Sequence, residues 1–213
     1  MKKYLLFDLD GTLTDPSDGI TGCIRYALEK LNVPCPPAES LKKYIGPPLY
    51  MSFMELLNTD DKSAGENAVK IYRERFSTIG LFENYPYENI PAVLSGLKDG
   101  GYKMFVCTSK PQVFAEKIID HFGMGSYFEK VFGSSLDGTH VEKDSLIAHL
   151  LSSEKLAPAD CAMIGDRIYD IDGALKNGVT PYGVSYGFGE CAEFAQAEKI
   201  FDCPEEIGDY FLR

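Results

Sequence analysis

Tyr4-Leu5-Leu6-Phe7-Asp8-Leu9-Asp10-Gly11-Thr12-Leu13, near the start of the chain, sets four apolar residues directly before two aspartates and a glycine. The apolar run reads as a short buried strand, and the polar residues after it as the turn that leaves the strand. The same pattern recurs at residues 102–107, 130–132, 161–164 and 179–184. Helical spacing separates most of these runs: Ile90, Val93, Leu94 and Leu97 share one face of a helix expected over 89–98, and further helices are expected over 112–122 and 143–151. Strand alternating with helix predicts an α/β fold, a parallel sheet with helices on both faces. Sheets of that kind bind ligands beyond the carboxyl ends of their strands, so the residues just after each run carry the functional reading.

Between residues 15 and 85 the alternation stops and only helical patterns remain, over 18–32, 49–57 and 62–76, punctuated by Pro34, Pro36, Pro37, Pro47 and Pro48. The expected organisation is a core built from 1–14 and 86–213 with an all-helical domain, 15–85, inserted between its first and second strands. The 213 residues carry 21 Lys+Arg against 32 Asp+Glu, a net charge of −11. That field repels polyphosphate backbones and anionic membrane surfaces, which argues against nucleic acid and membranes as partners. Four apolar residues before Asp8 are too few for a signal-peptide core, so a cytoplasmic protein is expected, its six cysteines reduced.

Four groups fall on the one edge where the strands end. They are Asp8 and Asp10; Thr108-Ser109-Lys110; Lys143, opening the helix after the third strand; and Gly165-Asp166-Arg167-Ile168-Tyr169-Asp170. Converging carboxylates repel one another in a partly dry cleft, and a hard divalent cation relieves this; Mg²⁺ suits oxygen ligands and a phosphate. A carboxylate is already ionised at neutral pH and can serve as a nucleophile without an activating base. Its obstacle is the negative charge of a phosphate. The cation and Lys143 would cancel that repulsion, while the Thr108 hydroxyl and the amides after it, Ser109 included, would bind phosphoryl oxygens. Asp10 could protonate the leaving oxygen and then take a proton from the attacking water. Gly11 and Thr12 let the chain turn sharply beside the phosphate.

Asp8-Leu9-Asp10-Gly11-Thr12-Leu13, Thr108, Lys143 and Gly165-Asp166-x-x-x-Asp170 resemble, in order and spacing, the four motifs of the haloacid dehalogenase-like phosphohydrolases. Thr108-Ser109-Lys110-Pro111, Leu136-Asp137-Gly138-Thr139 and Lys143 resemble most the phosphoglycolate phosphatase and 5′-nucleotidase-like branch. The resemblance implies a Rossmann-like three-layer α/β/α core, a small helical cap after the first motif, and Mg²⁺ held by Asp8, the Asp10 carbonyl and Asp166. It assigns Asp8 as nucleophile, Asp10 as acid and base, Thr108 and Lys143 to the phosphate, and Asp170 as a carboxylate supporting the metal site from behind. Ser109 stands where many relatives have Asn. The implied activity is hydrolysis of a small phosphorylated metabolite such as phosphoglycolate or a 5′-nucleotide. The alternatives are phosphoryl transfer of the β-phosphoglucomutase kind and non-catalytic binding of a phosphometabolite.

Other features invite blander readings. Cys161 and Arg167 have the C-x₅-R spacing of a cysteine-dependent phosphatase, but Cys161 begins a strand and Asp166 lies inside the would-be phosphate cradle. Tyr44, Tyr50, Phe53, Tyr72 and Phe76 are read as packing residues of the helical insert.

Overall fold

The computed structural model describes residues 2–213. At its centre lies β1 (Tyr4–Phe7), whose four residues pair in parallel with Lys103 to Val106 of β4 (Lys103–Pro111) on one side and with Cys161 to Ile164 of β6 (Cys161–Gly165) on the other. The sheet is completed by β5 (Phe128–Ser134), β7 (Thr180–Val184) and β8 (Lys199–Phe201) in the order β5-β4-β1-β6-β7-β8, every pairing parallel. Two short strands, β2 (Thr14–Asp15) and β3 (Tyr85–Pro86), form a separate two-stranded sheet.

On the central strands, residues pointing to either face are buried: Leu5, Leu6 and Phe7 on β1, Met104 to Cys107 on β4, and Cys161 to Ile164 on β6. Both faces are therefore covered, as the unbroken apolar runs require. On one face Leu6, Phe105, Cys107 and Met163 join Leu146, Ile147, Leu150 and Leu151 of α7 (Lys143–Glu154) and Ala174 of α8 (Ile168–Lys176). Helix α6 (Gln112–His121) packs on β4 and β5, and α5 (Ile90–Asp99) packs against α9 (Pro204–Phe211). The architecture is the expected Rossmann-like α/β fold.

Three strands differ from their sequence reading, one of them β5, which runs two residues beyond the expected 130–132 at each end. The strand expected to stop at residue 107 runs on to Pro111, because the chain stays extended through a bulge: Thr108 faces Gly133 and Pro111 faces Ser134, leaving Ser109 and Lys110 out of register. A residue before proline is pushed toward extended backbone, which favours that continuation. Strand β8 has no apolar run to announce it; of its three residues only Phe201 is buried, as befits a short edge strand.

The chain divides into two compact units: the chain up to Asp15 with Pro86–Arg213, and Pro16–Tyr85. The second unit is helical, built from α1 (Ser17–Lys30), α2 (Ala38–Leu41), α3 (Leu49–Leu56) and α4 (Lys62–Arg75), the last prolonged by a π-helical turn through Gly80. Helix α4 packs against both α1 and α3. Phe53 meets Tyr72 edge to face at 6.2 Å, and Tyr72 stacks on Phe76 at 5.2 Å. With Tyr44 these rings are buried inside the unit, in keeping with a packing role, whereas Tyr50 is only half-buried. Arg75 closes the unit with a two-pronged bond to Glu83, at 2.7 and 2.9 Å. Among the described residues no helix is long and apolar enough to cross a membrane.

Candidate active site

At the carboxyl edge of the sheet, Asp8 leaves β1 with its N–H donating to the Ile164 carbonyl of β6 at 2.9 Å. Lys143, the first residue of α7, reaches the same point. Its Nζ lies 2.9 Å from Asp8 Oδ1 and 2.7 Å from Asp170 Oδ1, and it donates to the Cys107 carbonyl at 3.0 Å. Asp170 sits in the first turn of α8, where its Oδ2 accepts the Arg167 N–H at 3.1 Å; a carboxylate there complements the orphan amides of the helix start. Asp166 follows β6, and its Oδ2 accepts the Phe188 N–H at 2.8 Å. All four side chains are buried.

Burial is the main force on these groups. It drives the Asp166 carboxyl well above the ordinary aspartate range, and the charges of Asp8 and Asp170 push the same way. Asp170 is also raised by burial, although Lys143 pulls against it. For Lys143 burial favours the neutral amine, but Asp170 and Asp8 outweigh it and hold the ammonium above its usual range. One cation thus faces two carboxylates while a third stands beside them, an arrangement short of positive charge.

The donor set fits a hard cation. Asp8, Asp166 and Asp170 offer carboxylate oxygens that all lie within 4.8 Å of one another, and Asp166 Oδ1 is buried without a hydrogen-bond partner. An oxygen-only cluster of this kind suits Mg²⁺ rather than a thiophilic metal. Both oxygens of Asp170 are engaged, one by Lys143 and one by the Arg167 amide.

The loop after β1 is fitted closely around Asp166. Gly11 has φ +83°, and a Cβ built on it would stand 2.1 Å from Asp166 Oδ2, so the position excludes side chains on both counts. Gly187 is constrained by space alone: a Cβ there would come within 2.4 Å of the Gly11 carbonyl oxygen and of Asp166 Cβ. Beside it the Tyr186 hydroxyl donates to the Thr12 carbonyl at 3.0 Å.

Asp10 turns to a different cation. Its Oδ2 lies 2.7 Å from Lys110 Nζ, with both side chains largely buried, and its Oδ1 is buried without a hydrogen-bond partner. Burial raises the Asp10 carboxyl above its ordinary value, and Lys110 only partly offsets it. Thr108 and Ser109 stand on the neighbouring strand just past the Cys107 carbonyl that Lys143 holds. The Thr108 hydroxyl accepts the Lys110 N–H at 3.3 Å, and the Ser134 hydroxyl donates to the Ser109 carbonyl at 2.8 Å.

The fold therefore brings Asp8, Lys143, Asp166 and Asp170 into one buried cluster and sets Asp10, Gly11, Thr108 and Ser109 on the same edge. Sequence reasoning gave no role to three groups. Lys110 was legible only as the residue after Ser109. The Phe188 amide carries no side-chain signature, although Gly187 and Gly189 flank it. Glu193 accepts from Arg167 Nε at 3.1 Å and from the Ile168 N–H at 2.7 Å, across 25 residues or more, with nothing in the sequence to join them. The cysteine spacing is a decoy: Cys161 starts β6, its thiol pushed up to about 11 by burial, and Arg167 is paired with Glu193.

The family model described as haloacid dehalogenase-like hydrolase matches residues 5–184. The chain is 46% identical over 201 residues to a 5′-nucleotidase of Pseudomonas aeruginosa, covering 94% of this chain and 90% of that one. It is 34% identical over 187 residues to the tyrosine-protein kinase PtkA of Mycobacterium tuberculosis, covering 88% of this chain and 63% of that protein. In structure it resembles a predicted phosphatase from Clostridium acetobutylicum with a TM-score of 0.95 and 43% identity, over 100% of this chain and 99% of the other. A family match across most of the core, with relatives of this identity along nearly the whole length, makes the chain a member of the haloacid dehalogenase-like hydrolase family.

Proposed function

We propose that this protein is a Mg²⁺-dependent phosphatase that hydrolyses a small phosphorylated metabolite, a 5′-nucleotide first among the candidates, by way of a phosphoryl group carried on Asp8. As a hydrolase of its family with phosphatase relatives it acts on phosphoric monoesters. The observation that carries the finer reading is the buried cluster in which Lys143 touches both Asp8 and Asp170 while Asp166 keeps an unbonded carboxylate oxygen. The likeness to a 46% identical 5′-nucleotidase supports taking nucleotides before phosphoglycolate as candidate substrates.

In this proposal Asp8, Asp166 and the Asp10 carbonyl would hold the cation, with Asp170 behind them. When bound, the cation neutralises carboxylate charge and polarises a phosphoryl oxygen. The Asp8 carboxylate forms a bond to phosphorus as the ester P–O bond breaks, and Asp10 gives its proton to the departing oxygen. Lys143, the Thr108 hydroxyl and the backbone amides of Gly11 and Ser109 hold the phosphoryl oxygens while charge redistributes. Asp10 then takes a proton from the water that attacks phosphorus, which releases inorganic phosphate and restores Asp8. The helices of residues 16–85 serve as the cap that selects the leaving group, an assignment supported by the family resemblance.

The test is phosphate release from nucleoside 5′-monophosphates, phosphoglycolate, glucose 1-phosphate and p-nitrophenyl phosphate, with Mg²⁺ or EDTA, for wild type and Asp8→Asn. Turnover that requires both Mg²⁺ and Asp8, and is fastest with a nucleotide, is the expected result. Activity in Asp8→Asn equal to wild type would overturn the nucleophile. Isomerisation of glucose 1-phosphate without phosphate release would make the protein a mutase. Transfer from ATP to a tyrosine peptide, added because of the kinase relative, would replace hydrolysis as the activity.

A further inference from the structure

We infer that Lys110 is a positioning residue for proton transfer: it anchors one oxygen of Asp10 so that the other is presented to the leaving group. The inference rests on the proposed phosphatase reading and deepens it. Its ground is geometric. Asp10 lies two residues beyond the proposed nucleophile. Lys110 Nζ, 2.7 Å from Asp10 Oδ2, fixes that oxygen within a pair of largely buried side chains, and Asp10 Oδ1 is left buried without a hydrogen-bond partner. A carboxyl with one oxygen held and the other unbonded is what directional donation to an ester oxygen needs.

Lys110 is itself held by the strand bulge. Ser109 and Lys110 fall out of register between Thr108 and Pro111, and the Lys110 N–H donates to the Thr108 hydroxyl at 3.3 Å. The Ser134 hydroxyl, from β5, grips the Ser109 carbonyl at 2.8 Å. The bulge thus ties the anchor of the proton donor to the same short segment that supplies Thr108. The proton balance is simple. When the P–O bond breaks, the Asp10 proton passes to the leaving oxygen and the carboxylate that remains is paired with the Lys110 ammonium. When water attacks the phosphoryl group on Asp8, its proton returns to Asp10 and weakens that pairing again. Lys110 keeps its own proton throughout.

The experiment follows release of the leaving group in a single turnover with enzyme in excess, which reports phosphorylation of Asp8 alone. Substrates are aryl phosphates from 2,4-dinitrophenyl to phenyl phosphate, and enzymes are wild type, Lys110→Met, Lys110→Arg, Lys110→Gln and Asp10→Asn with Mg²⁺. A good leaving group departs without a proton, so Lys110→Met should stay within a few-fold of wild type on the dinitrophenyl ester. It should fall by about tenfold to a hundredfold on phenyl phosphate, approaching Asp10→Asn. Lys110→Arg should recover most of the loss, and adding Lys110→Met to Asp10→Asn should cost little more than Asp10→Asn alone. A merely structural role would lower the single-turnover rate equally for every leaving group, and that uniform loss would overturn the inference, as would an unchanged dependence on the leaving group. If Lys110→Met does not fold, Lys110→Gln carries the same two readings. Absence of any Asp8-dependent release of leaving group in wild type would instead remove the phosphatase reading on which the inference stands.

Discussion

Replacing Lys143 by methionine keeps most of the apolar stem and removes the charge from a site where Nζ lies 2.9 Å from Asp8 and 2.7 Å from Asp170. Three buried carboxylates then remain together with no ammonium between them. Removing one partner of a buried pair costs about 3–5 kcal/mol, because the remaining charge is left desolvated. For a protein of this size each kcal/mol lowers the melting temperature by about 2–4 °C, so the unit that carries the sheet should melt about 6–20 °C lower in EDTA at pH 7.5. The loss should depend on pH in a definite sense. Asp166 and Asp170 are raised in the folded protein, first by burial, above the value of about 3.9 they have when unfolded. The folded state therefore binds more protons than the unfolded chain, and their contribution to stability falls as pH rises above about 4. Without Lys143, which pulls Asp170 down, that fall extends to higher pH. The gap between Lys143→Met and wild type should accordingly narrow at about pH 5, where the buried carboxyls take up protons and need no counter-charge. Circular dichroism melts of both proteins across pH 5–8 in EDTA measure it, and Mg²⁺ at pH 7.5 should restore part of the loss. A shift below about 2 °C at pH 7.5, or a gap indifferent to pH, would mean that Lys143 does not compensate the buried carboxylates.

Gly11→Ala should lower both activity and stability. The backbone sits at φ +83° and the new methyl would overlap Asp166 Oδ2, so about 1–3 kcal/mol of destabilisation is expected by chemical denaturation, with a larger effect on phosphate release. Glu193→Gln removes the charge that Arg167 Nε and the Ile168 amide share; a loss of about 1–3 kcal/mol is expected, with turnover reduced because the start of α8 carries Asp170. Cys161→Ser should retain wild-type turnover, and iodoacetamide should leave Cys161 unmodified in the folded protein, since burial pushes its thiol up to about 11; mass spectrometry of the alkylated chain reads the outcome.

What was legible in the sequence was whatever an unbroken run or a fixed spacing declares. Residues 4–7 and 161–164 are apolar on both faces because their strands are central, and that burial alone locates Asp8 and Asp166 at one edge. Lys143 was legible as a cation at the start of a helix, where the dipole disfavours it; the structure supplies the compensation, two carboxylates and a carbonyl within 3.0 Å. Strand β8 was not legible, because an edge strand with one buried residue has no apolar run.

The residues that hold the candidate site in place are hidden for a different reason. Lys110, Glu193 and the Phe188 amide act through contacts that join segments 22 to 100 residues apart, and each is chemically ordinary in its local sequence. A lysine after a serine reads as a surface charge until a bulge turns it onto Asp10. An acidic residue in a short 3₁₀ turn reads as solvent-facing until it accepts the first amide of α8. A backbone amide has no letter at all; only the glycine on either side of it, which lets the chain come within contact of Asp166, leaves a trace. Groups that do chemistry are constrained by type and so can be read from residue identity. Groups that aim them are constrained by position, so many residue types could serve and only the fold shows which ones do.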